Sequence, residues 1–181
     1  MRKKILWITE TAMMLALLVT LQWLTKPAGQ LITGSCVNAV LAITVLVAGL
    51  GSGITVALIS PLMAYVLKIA PMVLTVPVIM VGNTLFVVLL HLIAGGRKAN
   101  LVKRIAGWLC AAAAKFAAMF ALVKWGICGV LAPTLMAAGT LKEPMLKALP
   151  VTFGVTQLFT ALIGGAVAMV IVLPIRKALK R

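Results

Sequence analysis

The chain has 181 residues, 64% of them apolar and only 10% charged, where soluble domains run at roughly 45–50% apolar and about 25% charged. Seventeen Lys and Arg stand against two carboxylates and one His, for a formal charge of +15. That balance excludes a soluble globule, which needs a polar skin, and a disordered chain. It also leaves too few carboxylates and imidazoles for acid–base pairs or metal shells, so no enzyme activity, cofactor or metal site is expected.

What remains is a single all-α integral membrane domain over residues 1–181, built as a six-transmembrane-helix bundle. After the basic start Arg2-Lys3-Lys4, an apolar run predicts a first helix over about 5–24. It is long for a signal peptide and no small-x-small cleavage site follows it. Within it Ala12, Ala16 and Thr20 recur at i, i+4 and i+8, a stripe of small residues on which another helix can pack closely. That helix belongs either to an internal neighbour or to a separate subunit. A structured outer loop over about 25–35 leads to helices at about 36–50 and 54–69, separated by the glycine-rich break Gly49-Leu-Gly-Ser-Gly53. A fourth helix over about 74–94 ends at Gly95-Gly96, and a fifth covers about 105–125. Residues 126–151 form a second structured outer loop. Pro133, Pro144 and Pro150 forbid one unbroken helix there, and its apolar stretch Val130–Ala138 suits a segment folded onto the helix ends. The sixth helix covers about 152–174.

An even number of spans puts both termini on one side. Eleven Lys and Arg fall on that side, including Arg97, Lys98, Lys103, Arg104, Arg176 and the C-terminal Lys180 and Arg181, against five on the other. The positive-inside rule makes the termini cytoplasmic. Short basic clusters between apolar runs are topology signals and not a nucleic-acid face. Cys36, Cys110 and Cys128 lie too far apart to suggest a metal site and read as thiols within helices. The lone His91 reads as structural.

Polar residues inside the apolar runs are the functional candidates. Lys115 falls within the fifth helix, near mid-membrane, where its amine either pairs with Glu10, faces a ligand anion or snorkels. Asn83 lies in the fourth helix behind Pro77 and Gly82, and binds either a ligand or a neighbouring helix. Gln157 opens the sixth helix. Gln22, Gln30 and Thr33 crowd the outer end of the first helix and its loop, and Lys124-Trp125 closes the fifth. Trp125 is either an interfacial belt residue or the aromatic wall of a pocket.

The layout resembles the substrate-binding S components of energy-coupling factor (ECF) vitamin transporters. The likeness covers nearly the whole chain: the length, six spans, basic cytoplasmic ends and a structured outer loop after the first helix. Ala12-x-x-x-Ala16 is similar to the motif through which that family's first helix docks on a shared coupling subunit, with Thr20 continuing the stripe. The segments Lys26–Asn38 and Val81-Gly-Asn-Thr84 also look like members of the group. The resemblance implies capture of a micronutrient at the outer face of a prokaryotic plasma membrane. It implies as partners a coupling transmembrane subunit and two cytoplasmic ATPases, with no catalysis by this chain, which carries no G-x-x-x-x-G-K-[ST]. It places the site in the outer loop and outer helix halves, where Gln30, Thr33, Asn83, Lys124, Trp125 and Gln157 stand. Lys115, lying deeper, joins them on the residue reading alone. A lysine-bearing site favours an anionic vitamin or precursor, such as a small carboxylate of the pantothenate kind, with folate-like and flavin ligands left open. The alternative is a stand-alone small-solute transporter or channel.

Overall fold

Where lipid replaces water, a backbone must bond its own N–H and C=O groups, and the apolar runs here do so as helices. The computed structural model describes residues 2–69, 72–96 and 99–179; Arg97, Lys98, Lys180 and Arg181, counted above as topology signals, lie outside the described residues. The elements are α1 (Arg2–Thr25), α2 (Gln30–Val47), α3 (Leu50–Val66), α4 (Thr75–Ala94), α5 (Leu101–Ala121), the short α6 (Ala132–Ala137) and α7 (Glu143–Pro150), and α8 (Thr156–Ala178). Wide π-type turns over Leu122–Val130 and Val151–Val155 extend α5 and join α7 to α8.

Five helical stretches are long and apolar enough to cross a bilayer: Lys4–Ala28, Gln30–Val47, Thr75–Ala94, Leu101–Val130 and Glu143–Ala178. The remaining apolar helix, α3, has 17 residues, about 25 Å at 1.5 Å per residue. The outside of the bundle is apolar as well, with Leu92 69% and Val170 72% exposed. An all-helical chain with such a surface is compatible with a multi-pass membrane protein.

The expected outer loop at 25–35 is mostly helix. The chain reverses within the 3-10 turn Lys26–Ala28 and Gly29, whose φ of 88° only glycine adopts readily, and α2 begins six residues earlier than expected. Its polar first turns fold because their hydroxyls bond backbone carbonyls: Thr33 donates to Thr25 O at 2.9 Å and Ser35 to Leu31 O at 2.7 Å. The glycine-rich break is shorter than expected too. Only Ala48 and Gly49 turn the chain, and Ser52 inside α3 accepts a 2.8 Å hydrogen bond from Thr11 of α1. Residues 126–151 form no open loop. The π-type turn, α6 and α7 bury Ile127, Ala132, Leu141 and Leu149 against Met119, Val123 and Phe153, a second apolar core that caps one end of the bundle.

The main core holds Leu18, Leu41, Val45, Val56, Phe86 and Leu90. At its centre α8 lies directly on α2, since a Cβ on Gly164 would stand 2.7 Å from the Ala39 nitrogen and 2.8 Å from the Asn38 Cβ. Trp108 of α5 donates to the Ala161 carbonyl of α8 at 3.1 Å. At the end opposite the cap, Arg176 of α8 donates to the Leu46 carbonyl of α2 through Nε at 3.0 Å and Nη2 at 2.7 Å, and to the Gly95 carbonyl after α4 at 3.3 Å. A cation is favourable at two helix C-termini, where carbonyls are left over.

Arg176→Ala removes those bonds while leaving the capped end untouched. Hydrogen bonds to charged groups contribute about 1.5–3 kcal/mol, so the variant is expected to melt earlier in detergent, by nanoscale differential scanning fluorimetry, with unchanged ligand affinity. An unaltered melting temperature sinks this role.

Candidate functional site

Beneath the cap the helix ends splay around a cavity of about 290 Å³, at the lower end of the ~300–1,000 Å³ typical of small-molecule pockets. Successive helices joined by short connections run antiparallel. The C-terminal halves of α1 and α3 therefore meet the N-terminal halves of α2, α4 and α8 at this end. Gln22 of α1, and Gln30, Thr33 and Asn38 of α2, line one side. Ser60 and Pro61 of α3 and Asn83 of α4 line another, while Lys115, Thr152, Phe153 and Gln157 close it. Pro61 sits inside α3, where it lacks the N–H that would bond back to residue 57. Like the π-type turns, it is an irregularity tolerated where the backbone borders a cavity.

Lys115 is the chemical centre. It is 1% exposed, and its Nζ donates to Asn38 Oδ1 at 2.6 Å and Asn83 Oδ1 at 2.8 Å. The Phe86 ring lies 5.8 Å from the same nitrogen, within cation–π range. The amine is thus hydrogen-bonded to asparagines of two neighbouring helices at the edge of a cavity. Both oxygens are neutral, so dipoles solvate the charge without cancelling it, and no acidic side chain among the described residues lines the cavity. A third N–H remains. Close packing sets the geometry: a Cβ on Gly82 would lie 2.5 Å from Met119 and 3.5 Å from Lys115 Cγ, so α4 and α5 touch beside the amine. The Asn38 amide is oriented in turn. Its Nδ2 donates to Gly34 O at 2.9 Å and Thr160 Oγ1 at 3.1 Å, which leaves Oδ1 facing the lysine.

Three further polar atoms at the cavity are buried and find no hydrogen-bond partner among the described residues: Asn83 Nδ2, Ser60 Oγ and Gln22 Oε1. Buried polar groups are nearly always satisfied. A cluster of three orphans around one pocket marks a place where a ligand or water completes the bonding.

Of the residues expected at a site, Gln30, Thr33, Asn83, Lys115 and Gln157 line this cavity. Lys124 and Trp125 do not. Lys124 is exposed with its Nζ 5.3 Å from the Phe120 ring, and Trp125 is 67% exposed. Lys124 follows Lys115 by nine residues, about two and a half helical turns, so the face that buries one turns the other outward. The sequence does not single out Asn38 or Ser60, and places Gln22 only among the outer polar groups. The signal for Asn38 was an amide that the early start of α2 carries eight residues into the helix. Ser60 stands beside a proline in an otherwise apolar helix. Ala12, Ala16 and Thr20 lie on the exposed face of α1, away from the cavity. The three cysteines are unpaired, and Cys110 faces outward from α5. No protein-family model, no curated protein and no solved structure matches the chain.

If the asparagine oxygens hold a buried charge, Asn38→Leu removes one of its two acceptors, a loss of about 1.5–3 kcal/mol for a hydrogen bond to a charged group. Adding Lys115→Met removes the charge itself. The double variant is therefore expected to melt closer to wild type than Asn38→Leu alone in a thermal double-mutant cycle. Additive losses sink the coupling.

Proposed function

We propose that this chain is the membrane-embedded binding subunit of an ECF-type importer, and that it captures a small anionic micronutrient, a vitamin or precursor, in the capped cavity. One observation carries the reading. The bundle spends a buried lysine on neutral oxygens beside a pocket that holds no carboxylate to answer it, and an anion entering there gains charge-assisted hydrogen bonds. The chemistry is recognition and not catalysis, and no cofactor is called for.

In this reading α3 also crosses the bilayer, its 17 residues standing at the short end of the ~17–25 range, for six spans in all. Both termini are then cytoplasmic, because Lys4, Lys103, Arg104, Arg176 and Lys177 gather at the end opposite the cavity. The cavity faces the outside of a prokaryotic plasma membrane.

Release inward then falls to partners: a coupling transmembrane subunit and two cytoplasmic ATPases. Support for docking comes from α1. It is the least buried of the five long helical stretches, and Ala12, Ala16 and Thr20 are exposed on it, where small side chains let a second helix approach closely.

Affinity purification of the tagged chain from its native membranes is expected to bring down ATPase subunits. Ala12→Leu/Ala16→Leu is expected to abolish that co-purification while leaving the thermal shift by bound solute unchanged, since the stripe and the cavity lie apart. Solute uptake by the lone chain in liposomes would establish the stand-alone transporter instead.

A further inference from the structure

The orphaned atoms differ in chemistry and in depth. Ser60 lies six residues from the end of α3, about 9 Å, and Asn83 lies eight residues into α4, about 12 Å, where it accepts from Lys115. At this level every free group donates: the third N–H of Lys115, Asn83 Nδ2 and the Ser60 hydroxyl. Gln22 lies three residues from the end of α1, about 4.5 Å. Its orphan atom is Oε1, an acceptor on a side chain only 5% exposed. The rest of the wall includes the apolar Val37, Ala64 and Ile79.

We infer that the cavity takes a two-ended ligand: a small monocarboxylate, seated on Lys115, Asn83 and Ser60, that carries a neutral O–H or N–H donor toward Gln22. This rests on the cavity being the substrate site of the proposed importer. A carboxylate supplies acceptors for these three donors, and its charge answers the single lysine. The levels differ by about 5–8 Å, and an extended chain advances about 1.1–1.2 Å per bond, so roughly four to seven bonds separate the carboxyl carbon from the donor atom. The donor is neutral because Gln22 presents an amide oxygen. An ammonium there would need a carboxylate partner, and no acidic side chain among the described residues lines the cavity. A dianionic phosphate would leave a second charge unanswered against apolar walls.

The test uses the full chain, purified in detergent, with four matched probes in isothermal titration calorimetry. 6-Hydroxyhexanoate carries both ends, hexanoate lacks the donor, 6-hydroxyhexanamide lacks the charge and 6-aminohexanoate makes the donor cationic. 6-Hydroxyhexanoate is expected to bind, with each of the others about tenfold or more weaker, the loss of one buried hydrogen-bond partner. Gln22→Leu is expected to bring 6-hydroxyhexanoate down to the affinity of hexanoate. Gln22→Glu, nearly isosteric, is expected to shift preference to 6-aminohexanoate; if the leucine variant does not fold, this swap and the wild-type ranking decide. No binding of 6-hydroxyhexanoate, equal affinity for hexanoate, or an unmoved preference in the Gln22 variants overturns the inference. Co-purification of ATPases is independent of the probes. If they co-purify while the ranking fails, only the two-ended ligand falls; if the ranking holds without ATPases, the importer falls and the ligand class stands.

Discussion

A lysine amine held by two asparagine oxygens organises this bundle. Moving an ammonium into an apolar interior costs several kcal/mol unless dipoles replace its water. Here the replacement comes from two other helices, Asn38 on α2 and Asn83 on α4. Each dipole is itself constrained. Asn38 is oriented by Gly34 and by Thr160 of α8, and α8 reaches it because Gly164 lets the helices touch. Asn83 meets the lysine because Gly82 brings α4 against α5. Four helices are thus fixed around one charge, and the small residues between them are part of how that charge is tolerated.

The two ends of the molecule differ. At the Arg176 end the cation answers leftover carbonyls at the ends of α2 and α4, while the buried His91 Nδ1 finds no partner among the described residues. At the capped end the backbone is interrupted by Pro61 and by two π-type turns, and polar atoms are left over. The cap covers this end with an apolar core of its own.

The helical class and the positions of the long helices follow from hydropathy, because twenty apolar residues in lipid have few other options. Lys115 and Asn83 stand out because a polar residue in such a run needs a reason. What fails is what depends on boundaries and on facing. Gln30, Thr33 and Ser35 look like loop residues because of their polarity, whereas their side chains bond backbone carbonyls or face a cavity. Moving the start of α2 by six residues turns Asn38 from a rim residue into a deep one. Lys124 and Trp125 fit the right level of the membrane but the wrong side of α5, and depth carries no information about face. Gln22 was visible as one of several outer polar groups; only packing shows that its oxygen is buried and unpartnered.

In the proposed binding role, the orphan atoms let a small cavity bind tightly without a large contact area. Each unsatisfied buried group costs about 1–3 kcal/mol in the empty protein, and a ligand that supplies the missing partners recovers that cost in addition to making its own contacts. The helix packing that orients Asn38 and Asn83 has already restricted their side chains, so little ordering entropy is left to lose on binding. A fully satisfied cavity would give a more stable bundle with nothing to gain from a solute. In the proposed binding role, affinity and specificity share one source, the incompleteness of the polar network at the cavity, and the rest of the fold keeps that network in register.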